Sequence, residues 1–170
     1  MPSTGRRSAE DRRTAIGARI TELRTARSMS LSALARAAGI GKGSLSELES
    51  GQRNPTIDTL YAVAGPLGVP LSALLGEESG TEGSGRSLSA RLLHVEHHPD
   101  GAVTEVFWLT VTPGDVRESP AHGPGVVENV HVVSGNLTAG RRGAENSAGP
   151  GETLQWISDC LLYTSPSPRD

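Results

Sequence analysis

The stretch LSALARAAGIGKGSLSELES, residues 31–50, decides the fold of this chain. Leu34, Ala35, Ile40, Leu45 and Leu48 sit where two short helices joined by a three-residue turn would bury them. Ser30 precedes the first helix as its N-cap, and Gly39 marks its end. The turn is Gly39-Ile40-Gly41, and the second helix runs through KGSLSELES to Gly51. Ala35 lies at the crossing, where only a small side chain lets two helices approach closely.

The same periodicity continues on both sides. Ile16, Ile20, Leu23 and Arg27 follow the i, i+4, i+7, i+11 spacing of a helix over about 12–28. After Pro55 a fourth helix begins, with Thr56 as cap and Asp58 placed to suit the helix dipole. Pro66 is expected to end or kink it near Gly65. A fifth helix, LSALLG, follows Pro70. Two helices crossing through a short turn form a helix-turn-helix, whose second helix enters the DNA major groove.

The segment LSALARAAGIGKGSLSELESGQRNPTIDTLYAVAGPLGVPLSALL resembles the DNA-binding domain of the xenobiotic-response-element, or phage-repressor-like, family of bacterial regulators. The likeness covers about residues 14–75 and rests on the apolar spacing, the turn Gly39, ESGQRNP and LGVPLSALL in the same order. It implies that Lys42, Gly43, Ser44 and Glu47 face the bases, where lysine donates to guanine and glutamate accepts from cytosine. It implies that Ser30, Arg53 and Asn54 meet phosphates. Arg6, Arg7, Arg12 and Arg13 form a basic arm over residues 1–13 that adds nonspecific affinity. A head this small binds half a site weakly, so a homodimer on a double-stranded DNA operator with paired half-sites is expected.

The charge distribution agrees. Residues 1–60 carry ten basic and six acidic side chains, a balance of +4, whereas residues 80–159 carry five and ten, a balance of −5. A basic front is the part suited to a polyanion. Between the parts lies GEESGTEGSGR, residues 76–86, which has no apolar residue and is expected to be a flexible linker. Beyond it, runs such as AVTEVFWLTV and ETLQWIS are separated by PDG, PGD and SGN, the pattern of a small all-β sandwich or barrel. The fold class is therefore α + β in two domains: a five-helix head, then a β domain over 87–159.

HGPGVVENVHVVSGNLTAG and AGPGETLQW resemble the start of a cupin barrel, of which only part is present. That likeness makes His122, Glu128 and His131 the candidate ligand or metal pocket. Two histidines and a carboxylate suit iron, manganese or zinc. The paired His-x-His and the later histidine of metal-binding relatives are missing, so a barrel that binds a small-molecule effector without metal, or only supports a dimer, is the expected form. No resident cofactor is expected; a divalent metal belongs at most to a complete barrel.

Residues 160–170, CLLYTSPSPRD, hold the single cysteine. They resemble one reading frame of the transposase adapter used in short-read DNA libraries, so the β domain is expected to stop near Asp159, with an unpaired edge and an exposed apolar face. No apolar run reaches the roughly 18 residues of a membrane helix, the start of the chain has no secretion signal, and one cysteine makes no internal disulfide. A cytoplasmic, non-enzymatic DNA-binding regulator is the expectation. Its rivals are a cupin metalloenzyme with an accessory DNA-binding head and an antitoxin-type module that binds DNA and a toxin.

Overall fold

A computed structural model describes residues 9–77, 81–85, 88–159 and 162–167. Five helices come first: α1 (Ala9–Ala26), α2 (Leu31–Ala37), α3 (Lys42–Glu49), α4 (Ile57–Leu67) and α5 (Ser72–Leu75). The first helix begins within the segment read as a basic arm, so Arg12 and Arg13 are helical. Arg6 and Arg7 lie outside the described residues. Ser30 and Thr56 cap α2 and α4 as expected, their hydroxyls accepting from the Ala33 and Thr59 amides.

Pro66 does not break α4, which runs on to Leu67. The proline sits in the last turn, where the helix ends anyway and little further ladder is lost. Gly68, at φ 63°, closes the helix, and Val69 N–H bonds back to the Ala64 carbonyl.

Nine strands follow: β1 (Glu82–Ser84), β2 (Leu88–His97), β3 (Val103–Val111), β4 (Arg117–Ser119), β5 (Val127–His131), β6 (Asn136–Arg141), β7 (Ala144–Ala148), β8 (Thr153–Ile157) and β9 (Leu162–Ser167). All pairings are antiparallel, giving sheets β1-β2-β3, β4-β9-β6-β7 and β5-β8. Among the described residues these three sheets do not close into one barrel.

Two differences from the sequence reading stand out. Within the stretch expected to be a flexible linker, Glu82–Ser84 pair with Ser89–Arg91. Ladder bonds use the backbone, so a segment without apolar side chains still forms a strand where an edge is on offer. The second concerns the tail: Leu162–Ser167 lie between β4 and β6 and pair with both. The edge expected to stay open there is occupied, although Pro166 has no N–H to give the ladder.

Two cores result. Ile20, Leu34, Ala35, Leu45, Leu60, Val63 and Leu67 form the centre of the helical head, and Leu88 and Ala90 of β2 join the same cluster. Val132, Ala139, Ala148 and Leu154 form a smaller one with Trp156. Val127, Ile157 and Trp108 remain about half exposed, at 52%, 48% and 46%. The exposed apolar surface expected of the β part is thus present.

Candidate nucleic-acid interface and interdomain site

The pair α2–α3 is a rigid unit. Ala38 and Ile40 N–H bond back to the Leu34 and Ala35 carbonyls at 2.8 and 3.0 Å, and Gly39 makes the turn at φ 65°. Leu34, Ala35, Leu45 and Leu48 point into the core, which turns the opposite face of α3 outward. On that face Lys42, Gly43 and Glu47 are exposed and Ser44 is half-buried.

Beyond α3 the chain folds back, Gln52 and Arg53 N–H both donating to the Glu47 carbonyl. Arg53 Nη1 donates to Ser44 Oγ at 3.1 Å and lies 3.6 Å from Glu47 Oε2. Lys42, Gly43, Ser44, Glu47 and Arg53 therefore share one surface, with Lys42 at its leading end. Ser30 and Asn54 are exposed as well. Ser30 Oγ already accepts from Ala33 N–H at 3.1 Å, leaving its hydroxyl proton to donate.

Two devices that the sequence reading missed hold α3 in place. Arg24 forms a two-pronged bridge to Glu49, Nε to Oε1 at 2.6 Å and Nη2 to Oε2 at 2.8 Å, while Nη1 donates to the Met29 carbonyl at 2.9 Å. These bonds tie α1, the loop before α2 and the end of α3 together. Gly17 supplies the second: a Cβ there would lie 2.4 Å from the Leu48 carbonyl oxygen and 2.6 Å from that of Glu49. The available signal was a buried-side glycine inside an otherwise good helix.

A second constellation joins the head to the β region. Arg117 Nε donates to Asp58 Oδ1 at 2.7 Å. The Glu105 carboxylate accepts from Leu71 and Ser72 N–H at the start of α5. Tyr61 of α4 stacks on His122, with centroids 3.6 Å apart and planes 8° from parallel. His122 Nδ1 is 3.2 Å from Glu128 Oε1, and Glu128 Oε2 accepts from Trp156 Nε1 at 2.7 Å and from Ser158 Oγ.

His122 and Glu128 thus meet, but His131 does not join them. Three residues apart on β5, Glu128 and His131 point to opposite faces. His131 Nδ1 is instead 3.1 Å from Thr153 Oγ1. Among the described residues no three His, Cys, Asp or Glu side chains are grouped to hold a metal ion. The set His122, Glu128 and His131 does not fit a metal centre as arranged, because its two meeting members already satisfy each other. All three nevertheless line one cavity of about 600 Å³ together with Tyr61, Phe107, Arg117 and Trp156.

Burial pushes the Glu128 carboxyl up, but the bonds from His122, Ser158 and Trp156 outweigh it and hold it below its ordinary range. A carboxyl that titrates lower folded than unfolded contributes its full stability above the unfolded pKa of 4.5 and loses it as pH falls through the folded value. Wild-type protein should therefore lose melting temperature more steeply than Glu128→Gln between about pH 5 and about pH 3. Equal slopes in a thermal-melt series would contradict this.

With this geometry in place, comparison with known proteins is informative. The Helix-turn-helix family model matches residues 20–74. The HTH-type transcriptional regulator SutR of Escherichia coli K12 is 28% identical over 143 residues, covering 82% of this chain and 80% of that protein. The regulator SinR of Bacillus subtilis strain 168 is 42% identical over 72 residues, which span 42% of this chain and 65% of SinR. A crystal structure of an HTH_3 family transcriptional regulator from Vibrio cholerae superposes with a TM-score of 0.80 at 25% identity, covering 94% of this chain and 92% of that one. That likeness takes in the β region as well as the head. The chain thus matches the Helix-turn-helix model over residues 20–74 and is similar over most of its length to transcriptional regulators. Among the described residues no helix is long and apolar enough to cross a membrane.

Proposed function

We propose that the chain regulates transcription by binding a specific operator with α3 in the major groove. Lys42, Gly43, Ser44 and Glu47 face base edges, while Ser30, Arg53 and Asn54 contact phosphates. The observation that carries this reading is the outward polar face of α3, held rigid by the Arg24–Glu49 bridge and edged by Arg53. Two copies act on paired half-sites about 34 Å apart, one helical turn of DNA. The β region, cupin-related in its motifs, receives a small-molecule effector and supports the dimer. An effector acts only through a difference in affinity between DNA-competent and DNA-incompetent forms.

The test is operator selection followed by fluorescence anisotropy across a salt series. Glu47→Ala should relax preference at one base position by about 1–3 kcal/mol. Arg53→Ala should weaken binding to all sequences alike and reduce the salt slope by about 1. An unchanged preferred sequence in Glu47→Ala would remove that residue from the groove. On the reading of residues 160–170 as adapter-derived, β9 is not the regulator's own strand. Sequencing the genomic gene across the Asp159 codon decides that point.

A further inference from the structure

Gly17, Gly43 and Gly65 lie inside helices of the head, where glycine costs backbone entropy that alanine does not. The protein itself accounts for two of them. An added Cβ at Gly17 would lie 2.4 Å from the Leu48 carbonyl oxygen. One at Gly65 would lie 3.3 Å from the Ala121 carbonyl oxygen and 3.5 Å from that of His122, where α4 meets the β region. In each case a backbone from elsewhere in the chain stands where the side chain would be.

Gly43 has no such neighbour. Beyond its chain neighbours and the backbone of its own helix, no atom among the described residues lies within 4 Å of an added Cβ. Its φ is also outside the left-handed region that calls for glycine. Alanine would fit here and restrict the unfolded chain, so the fold supplies no reason for the glycine. Gly43 is exposed in the first turn of α3, with Lys42 before it and Glu47 one turn later on the same face. Whatever uses the space must come from outside the chain.

The chemistry of the major groove says what that is. Base edges there present hydrogen-bonding groups, and thymine adds a 5-methyl, the one group that needs room rather than a bonding partner. Glycine offers room and no side-chain donor or acceptor. We infer that Gly43 is a specificity-determining residue: the gap it leaves between Lys42 and Glu47 receives the 5-methyl of a thymine in each operator half-site. This deepens the reading of α3 as the groove helix and rests on it.

The test starts from an operator selected with the full-length protein. Its thymines are replaced one at a time by uracil, which keeps the hydrogen-bonding groups and lacks only the methyl. By anisotropy, wild type should lose roughly threefold in affinity at one thymine of each half-site. Gly43→Ala should bind the unmodified operator about tenfold or more weakly. Uracil at that same thymine should return the variant to within roughly threefold of wild type. A general loosening of the groove contact would not be relieved by removing one methyl. The variant should melt at or above the wild-type temperature, which separates lost affinity from a damaged head. Undiminished affinity in Gly43→Ala, a loss that no single uracil relieves, or a lowered melting temperature would each overturn the inference. A wild-type chain that selects an operator while the rescue fails loses only the role of Gly43. One that selects no operator loses the groove reading and this inference with it.

Discussion

Gly17→Ala is expected to lower the stability of the head by about 2 kcal/mol, although alanine in an open helix position gains about 1 kcal/mol over glycine. The propensity gain is outweighed because the new Cβ would sit 2.4 and 2.6 Å from the carbonyl oxygens of Leu48 and Glu49. These are backbone atoms at the end of α3, with no flexible tip that can swing aside. Relief requires α3 to move away from α1, which also displaces the face carrying Lys42 and Glu47. Thermal unfolding should show a fall of roughly 4–8 °C, and anisotropy a matching loss of operator affinity. A melting temperature equal to or above wild type would show that the approach of α1 to α3 is looser than described.

Glu49→Ala should cost about 3 kcal/mol, because it leaves the Arg24 guanidinium largely buried without its carboxylate. The two side chains are only 14% and 11% exposed, so water cannot readily replace the lost partner. Arg24 keeps its bond to the Met29 carbonyl, which limits the damage. Replacing both members, as Arg24→Met with Glu49→Leu, should be far milder than either single change, since the cost lies in the unpaired charge. Urea unfolding of the two single variants and the double variant measures the coupling. Additive losses would mean that the bridge contributes nothing as a pair.

Much of the head was legible because its signals are local. Ser30 and Thr56 as caps, Gly39 at the turn and the spacing of Leu34, Leu45 and Leu48 all act within a few residues of themselves, and each is where it was expected. The exposed faces of Lys42 and Glu47 follow from the burial of their neighbours. The two-strand parity that separates His131 from Glu128 was legible too. The two residues line one cavity, but the regular ladder from Val127 to His131 keeps them from meeting as ligands of one ion. The effect of Pro66 was less legible, because it depends on where Gly68 closes α4.

Other features depend on contacts that no local pattern carries. The polar stretch 76–86 has no apolar signal, yet Glu82–Ser84 form a strand because β2 presents an open edge to them. Pairing of that kind depends on which backbone lies alongside, not on the side chains of the segment itself.

By itself the sequence determined that residues 31–50 make two helices and a turn, and which side chains of the second helix face outward, because caps, glycines and helical periodicity act over one or two turns. Only the tertiary structure decided that Gly17 is where α1 meets α3, that Arg24 finds Glu49, and that Asp58, Tyr61 and Gly65 clasp Arg117 and His122. Those partners lie far apart along the chain, and their meeting depends on how closely the folded backbones approach, which spacing along a sequence does not encode.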